Sequence, residues 1–316
     1  MANDAIDNAF TSKSLKIAAG EPTWSGALSF MRRKYTKNLK GADAVVWGIP
    51  FDAAVSNRPG ARFGPQAIRR ASAIMDIDPQ YPFHADIFAH LNVVDYGDCR
   101  LDYGNHQKTP KAIETQAAAI LKSGAFLLSM GGDHYVTWPL LKAHAAIHGP
   151  MALVQFDAHQ DTWFDDDKRI DHGSFVARAV RAGIIDPDKS IQIGIRTHAP
   201  ETFGVKILYG HEIEDMKASE IAEIIVARTG GAKTYLTFDI DCLDPAYAPG
   251  TGTPVAGGPS SAKILAVLQR LGALDLVGAD VVEVAPAYDH ADITAIAGAA
   301  VLQHYIGLLA AKRARR

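Results

Sequence analysis

Short apolar runs alternate along this chain with longer segments of mixed polarity. Runs such as AVVWGI at 44–49 and MALVQFD at 151–157 have the length and β-branched content of buried strands. Most of them are apolar at nearly every position, which is typical of strands covered by helices on both faces. The pattern predicts strands at 44–49, 91–96, 126–130, 151–157, 190–195, 206–208, 234–240 and 275–282.

The segments between these runs predict helices. They lie at 65–76, 109–123, 135–147, 173–183, 217–228, 259–271 and 292–312. Strands that alternate with helices indicate βαβ units and a mostly parallel sheet. Such a sheet can close into a (β/α)₈ barrel or stay open between two helical layers, and the pattern alone does not separate the two. Both architectures place functional side chains at the carboxyl ends of the strands.

Three of the predicted strands end in acidic and imidazole side chains. In FDAHQD, at 156–161, these residues alternate, so they share one face if the chain stays extended. The other two ends are FDID at 238–241 and GGDH at 131–134. We expect Asp133 to cap the helix that begins near Tyr135. The candidate metal ligands are His134, Asp157, His159, Asp161, Asp239 and Asp241.

Carboxylates crowded at one edge of a sheet repel one another and are costly to bury, so a cation is expected between them. Six ligands rich in oxygen exceed the needs of one zinc ion, and they suit two divalent ions that share bridging carboxylates. Manganese matches this donor set best, although nickel, cobalt or zinc could occupy it. Such a pair of ions would lower the pKa of a bridging water from ~15.7 to about 7, which provides a hydrolytic nucleophile.

The composition argues against several classes of protein. An apolar fraction of 48% in 316 residues supports a sizeable core, and the formal net charge of −3 lacks the basic excess of a nucleic-acid-binding protein. The two cysteines, Cys99 and Cys242, form no disulfide spacing motif and are typical of a reducing, cytoplasmic location. We expect neither a signal peptide nor a segment long enough to span a membrane.

Further motifs give the chain a family resemblance. RFGPQAIR at 62–69, DHGSF at 171–175 and VVEVAPAYD at 281–289 accompany the three strand-end motifs. Together they resemble the ureohydrolase (arginase/agmatinase) family, and DCLDPAYAPGTGTP and IQIGIRT are most similar to its agmatinase branch. The resemblance begins near residue 40. It divides the chain into an N-terminal extension at 1–40 and a single ureohydrolase domain at 41–316.

This resemblance implies a fold and a metal centre. The family fold is a three-layer α/β/α sandwich with an open, mostly parallel, eight-stranded sheet. The family holds two manganese ions, with two carboxylates bridging them. By motif match, the first ion would take His134, Asp157, Asp161 and Asp239, and the second would take Asp157, His159, Asp239 and Asp241. The family also forms trimers and hexamers, so a homo-oligomer is expected.

The resemblance further implies hydrolysis of a guanidinium group by a metal-bridging hydroxide. Glu283 matches the family residue that holds the planar guanidinium through paired N–H bonds. Asp161 would pass a proton to the leaving nitrogen. His172 matches a histidine assigned to substrate contact or to proton shuttling. The expected catalytic residues are therefore Asp161, His172 and Glu283.

The sequence says less about the part of the small guanidine substrate that lies beyond its guanidinium group. The loop at 161–173 offers Trp163, Asp165, Asp166 and Asp167, and such walls favour the cationic tail of agmatine, which would yield putrescine and urea. A DDDKR run is also typical of a solvated loop. Three alternatives stay open: a hydrolase of a guanidino acid such as 4-guanidinobutyrate, a non-catalytic metal-binding homologue, and a two-metal phosphoesterase, which would need arginine or lysine near the metals.

Overall fold

The computed structural model describes residues 7–16, 22–76, 79–166 and 168–314. The strands are β1 (Ala44–Ile49), β2 (Val93–Asp98), β3 (Phe126–Gly131), β4 (Ala152–Phe156), β5 (Ile191–Ile195), β6 (Lys206–Tyr209), β7 (Lys233–Asp239) and β8 (Asp275–Val282). The α-helices are α1 (Asn8–Thr11), α2 (Gly64–Ser72), α3 (Thr109–Leu121), α4 (Thr137–His148), α5 (Phe175–Arg181), α6 (Gly210–Asp215), α7 (Ala218–Thr229), α8 (Ser261–Leu268) and α9 (Ile293–Ala314).

The strands form one open sheet with the order β2-β1-β3-β8-β7-β4-β5-β6. Every pairing between neighbouring strands of this sheet is parallel. In a barrel the two end strands would pair, whereas β2 and β6 lie at opposite edges here. The open sheet that the family resemblance implied is therefore confirmed, and the barrel is excluded.

Helices cover both faces of the sheet, each over its own apolar core. Alternate residues of β1 show the division, because Val46 packs into one core and Trp47 into the other. The core on the Val46 side includes residues of α2 and α6 to α9, and the core on the Trp47 side includes residues of α3 to α5. This arrangement confirms the three-layer α/β/α sandwich.

The element boundaries differ from the predicted ones at a few places. Strand β2 begins at Val93, two residues later than expected, and α2 ends at Ser72 before a 3₁₀ turn. The sequence pattern missed α6, because six residues are too few to show a helical period. Local hydrogen bonding starts this helix, since the Tyr209 N–H donates to the Glu212 carboxylate at 2.8 Å.

The described part of the N-terminal segment packs against the sheet. Phe30 and Met31 are buried in the core on the α2 side. The Phe30 N–H donates to Asp95 Oδ2 at 2.8 Å, and Tyr35 forms a parallel bridge with Asp95. These contacts attach the segment to β2. The division into an extension at 1–40 and a domain at 41–316 stays a prediction.

Helix α9 corrects one expectation about the chain. It has 22 residues, and an 18-residue window within it has a mean hydropathy of 1.6, so in length and composition it could cross a membrane. The prediction that no segment reaches that length was therefore wrong. In the structure 78% of this apolar window is buried inside the protein, as expected of a helix that covers a sheet.

His144 on α4 is buried against one face of the sheet and is uncharged there. Its ring packs edge-on against Tyr235, with 4.9 Å between the ring centroids. Its Nδ1–H donates to the Leu140 carbonyl at 2.8 Å, and burial lowers its pKa to about 4. A charged imidazole would have to be desolvated here, so folding keeps the ring unprotonated.

We expect the His144→Leu variant to show a weaker pH dependence of stability. An unfolded histidine binds a proton near pH 6.5, whereas His144 in the folded protein binds one only near pH 4. The unfolding free energy should therefore fall as the pH falls from about 6.5 to about 4, by up to about 1.4 kcal/mol per pH unit. Leucine removes this contribution.

Urea denaturation of metal-free protein at several pH values between 4 and 7 measures the effect. The exposed His290, replaced by glutamine, serves as the matched control. If the wild type and His144→Leu show the same slope of unfolding free energy against pH, the assignment to His144 is wrong.

Candidate metal centre and active-site pocket

Four neighbouring strands in the middle of the sheet supply the site. Their order is β3-β8-β7-β4, and all of them run in the same direction. Their carboxyl ends therefore meet at one edge, where parallel α/β sheets bind their ligands. His134 follows β3, Glu283 follows β8, Asp239 ends β7 and Asp157 follows β4.

The first group of donors surrounds the His134 imidazole. Its Nδ1 atom lies 3.0 Å from Asp157 Oδ2, 3.0 Å from Asp161 Oδ2 and 3.2 Å from Asp239 Oδ2. This nitrogen is buried and has no hydrogen-bond partner among the described residues, although three carboxylate oxygens are so close. One nitrogen and three oxygens that converge without hydrogen bonds to one another form a donor set that a divalent cation would satisfy.

The second group contains Asp157, His159 and Asp241. His159 Nδ1 lies 3.0 Å from Asp241 Oδ2 and 3.5 Å from Asp157 Oδ1. Asp157 belongs to both groups, with Oδ2 towards His134 and Oδ1 towards His159. This is the geometry of a bridging carboxylate. Asp239 Oδ1 accepts the Asp241 N–H at 2.8 Å, and the bridging role of Asp239 stays a prediction.

The acidic groups here repel one another. Burial and the neighbouring Asp157 raise the pKa of Asp161 to about 7. Burial and the charge of Asp241 raise the pKa of Asp239 well above its usual range. Burial opposes protonation of His159, but Asp241 and Asp157 raise its pKa to about 12. Bound cations would relieve this repulsion.

The site depends on unusual backbone conformations at its edge. Asp161 and Glu283 have positive φ angles of 50° and 63°, in the left-handed region that residues other than glycine rarely adopt. A Cβ at Gly132 would lie 1.6 Å from the Phe51 carbonyl oxygen. The second glycine of GGDH therefore allows the loop after β1 to pack against the end of β3.

The buried Glu283 and the partly exposed His172 form a pair beside the first group. Glu283 Oε1 accepts the His134 N–H at 2.9 Å and lies 2.8 Å from His172 Nδ1. Burial opposes protonation of His172, but its hydrogen bond to Glu283 raises its pKa to about 9. The Ser56 hydroxyl lies 2.8 Å from His172 Nε2. Glu283 Oε2 is buried without a partner among the described residues.

A cavity of about 390 Å³ opens above these groups. The Trp163 ring lies on its wall, with its centroid 6.4 Å from that of His159. The described lining residues include neither lysine nor arginine. They are Ser56, His134, His159, Asp161, Trp163, Asp171, His172, Gly173, Asp239 and Thr253.

Comparison with known proteins agrees with this geometry. The model of the arginase family matches residues 42–307. The chain is 48% identical over 309 residues to an agmatinase of Chromobacterium violaceum, which covers 97% of this chain and 96% of that protein. The chain belongs to the arginase family. The family depends on a binuclear metal centre, which agrees with the two groups of donors.

Solved structures of arginase-family members extend this result. The crystal structure of a hypothetical agmatinase from Burkholderia thailandensis has a TM-score of 0.95 and 48% identity, covering 98% of this chain and 99% of that chain. A proclavaminate amidino hydrolase from Streptomyces clavuligerus has a TM-score of 0.87 and 37% identity, with coverage of 92% and 100%. The resemblance noted in the sequence is thereby confirmed.

Beyond Asp161, the acidic residue of the 161–173 loop that lines the cavity is not one of those predicted. Asp165 is buried, accepts the Ser174 hydroxyl proton and pairs with Arg178 at 2.5 Å, so it holds the loop and does not line the cavity. Asp166 is exposed outside the cavity, and Asp167 lies outside the described residues. Sequence reasoning missed Asp171, which does line the cavity. Its place directly before His172 in DHGSF was the available signal.

Asp133 does not have its predicted role as a helix cap. Its side chain bonds no N–H of the turn that begins at His134. Oδ2 accepts the Ala54 N–H at 2.8 Å, while the Asp133 N–H donates to the Phe51 carbonyl at 2.8 Å. Burial and the neighbouring Glu283 raise its pKa well above the usual range. Asp133 therefore fixes the loop after β1, which carries Ser56.

Two glutamines next to the candidate metal ligands were also missed. Gln155 Nε2 donates to Asp157 Oδ2 at 2.7 Å and to Asp161 Oδ2 at 3.2 Å. Gln192 in turn donates to Gln155 Oε1 at 2.7 Å. These bonds orient two carboxylates that belong to the first group. The signal was a polar residue inside an apolar strand, two positions before Asp157 and hence on the same face.

We expect substitutions in the two groups to remove different numbers of divalent ions. His159→Ala removes a donor from the second group alone, so about one ion per chain should remain. Asp157→Asn replaces the carboxylate that both groups share, so both ions should be lost or bound far more weakly. Metal analysis after dialysis, with circular dichroism to verify folding, measures the result. Two ions retained by both variants would contradict the shared-carboxylate arrangement.

Proposed function

We propose that this protein is an agmatinase, which hydrolyses agmatine with water to putrescine and urea and so serves polyamine biosynthesis. Its high identity to an agmatinase over nearly the whole chain supports a hydrolase of guanidino groups. The observation that favours agmatine is the wall of the cavity. Asp171 and Trp163 line it, without lysine or arginine among the described lining residues. Such a wall suits a substrate with a cation at each end.

The cofactor we propose is a pair of manganese ions. His134, Asp157, Asp161 and Asp239 would hold the first, and Asp157, His159, Asp239 and Asp241 would hold the second. A set dominated by carboxylate oxygens with two imidazoles supports manganese over zinc, which favours nitrogen and sulfur donors. When bound, the ions make a water molecule acidic enough to supply a nucleophile at neutral pH.

Glu283 is suited to bind the guanidinium group. Its Oε1 atom is held by the His134 N–H and by His172, which fixes the carboxylate before substrate arrives. The buried Oε2 atom is available to accept an N–H of the planar guanidinium. A preset orientation of this kind lowers the entropic cost of placing the guanidinium carbon near the metal ligands.

Asp161 and His172 are suited to move protons. Asp161 lines the cavity and is oriented by Gln155, so its carboxylate can take a proton from the attacking water and give it to the leaving nitrogen. The C–N bond to the butylamine chain then breaks, and urea and putrescine leave. His172, held between Glu283 and Ser56, is placed to contact the substrate or to relay a proton.

The alternatives are less well supported. The carboxylate of a guanidino acid would lie near Asp171 and be repelled by it. A phosphoesterase would need a cation for its phosphate, and none lines the described cavity. A non-catalytic homologue would have no need of the buried, unpartnered Glu283 oxygen beside the metal ligands.

We further propose a cytoplasmic homo-oligomer, either a trimer or a hexamer. Buried, unpaired Cys99 and Cys242 support a reducing compartment. Large exposed side chains, with Trp24 at 86%, Tyr81 at 81% and Phe164 at 85% exposure, provide apolar surface for subunit contacts. The mass in solution, measured by light scattering, would refute an oligomer if it equals that of one chain.

We expect manganese-loaded protein to release urea from agmatine much faster than from 4-guanidinobutyrate or L-arginine. Only agmatine combines the guanidinium with a tail that is purely cationic. Parallel assays of urea release on the three compounds test this, and metal-free protein serves as the blank. Preferred turnover of 4-guanidinobutyrate would retain the hydrolytic chemistry and refute the substrate.

Asp171→Asn should raise the KM for agmatine about tenfold, which corresponds to about 1.4 kcal/mol, with a smaller effect on kcat. Asparagine keeps an oxygen to accept the Gly173 N–H, which Asp171 Oδ1 now accepts at 2.8 Å, so the local turn should persist. Asp166→Asn removes the same charge from an exposed residue outside the cavity and is the matched control. An unchanged KM in Asp171→Asn would exclude Asp171 as a contact for the tail.

A further inference from the structure

Asp280 is a buried carboxylate that no residue role assigned above explains. It lies on β8 and is fully buried. Within the described chain it has no cationic partner in an ion pair, and it accepts three hydroxyl protons instead. These come from Thr237 at 2.5 Å, Tyr235 at 2.8 Å and Thr137 at 2.9 Å. An isolated carboxylate is costly to bury, so three dedicated donors around one carboxylate call for an explanation.

Thr237 links Asp280 to the metal centre. Its hydroxyl oxygen lies 2.5 Å from Asp280 Oδ1 and 2.9 Å from His134 Nε2. A hydroxyl carries one proton, which Thr237 donates to the carboxylate. The oxygen is then free to accept the proton on His134 Nε2. The imidazole is thereby held in the tautomer whose unprotonated Nδ1 faces Asp157, Asp161 and Asp239.

The fold makes this connection rigid. Thr237 and Asp280 are direct partners in the pairing of β7 with β8, two central strands of the sheet. Thr137 approaches the same carboxylate from the start of α4. The Phe175 ring packs against the His134 ring, with 4.5 Å between their centroids. The imidazole is therefore fixed by a hydrogen bond at Nε2 and by packing on its face.

We propose that Asp280, acting through Thr237, is a positioning residue of the metal centre. It fixes the tautomer and orientation of His134 and strengthens Nδ1 as a donor to the first divalent ion. Carboxylates that bond a ligating histidine directly have this effect at metal sites in general. Here a threonine hydroxyl lies between the carboxylate and the histidine. The inference rests on the metal centre proposed above.

Two valine substitutions separate this role from a purely structural one. Thr237→Val removes the hydroxyl that connects Asp280 to His134. Thr137→Val removes a hydroxyl from the same carboxylate without touching His134, and is the matched control. Thr237→Ser restores the hydroxyl and should restore binding. Manganese binding to metal-free protein is measured by isothermal titration calorimetry without substrate, so the result does not depend on which guanidine is hydrolysed.

We expect Thr237→Val to bind one of its two manganese ions about 10- to 100-fold more weakly than the wild type. The second ion, and both ions in Thr137→Val and Thr237→Ser, should bind within a few-fold of the wild type. If Thr237→Val does not fold by circular dichroism, Thr237→Ala removes the same hydroxyl with a smaller side chain.

Three results would overturn the positioning role. Wild-type affinity for both ions in Thr237→Val would show that the hydroxyl does not act on His134. Equal losses in Thr237→Val and Thr137→Val would show that the network only supports the fold. A wild-type protein that binds fewer than two ions would refute the metal centre itself and this role with it, which distinguishes that failure from the first two.

Discussion

The mutual repulsion of buried carboxylates at one edge of the sheet is the constraint on which the site depends. Asp157, Asp161, Asp239 and Asp241 are all buried there. The protein offsets part of this repulsion with neutral donors. Backbone N–H groups bond three of these aspartates, and Gln155 bonds two. The charge that remains makes the edge a strong site for divalent cations.

The topology of the sheet explains why these groups meet. They come from distant parts of the chain, and they become neighbours only because β3, β8, β7 and β4 lie side by side in the same direction. The same pairing brings Thr237 next to Asp280, close to the candidate metal ligands. The carboxyl ends of the central strands thus carry the candidate metal ligands. Within β7 and β8, Thr237 and Asp280 fix the orientation of one of these ligands, His134.

The sequence by itself determined most of the architecture and most of the donor set. Apolar runs marked every strand, because strands covered by helices on both faces are apolar at most positions. Acids and imidazoles after three of those runs identified the six candidate metal ligands that the structure gathers at this edge, although not Glu283 beside them. These signals are local: residues at alternate positions share a face, and the carboxyl end of a parallel strand is where ligands bind.

Only the tertiary structure decided the functions that depend on contacts between distant segments. Strand order has no local signature, so the pattern of strands left both a barrel and an open sheet possible, and the observed strand order excludes the barrel. Asp133 looked like a helix cap and Asp165 like a pocket wall, but their partners, Ala54 and Arg178, lie elsewhere in the chain. No role was assigned to Asp171 or to Asp280 from the sequence. Whether a buried carboxylate binds a substrate, holds a loop or orients a histidine depends on which groups the fold places around it.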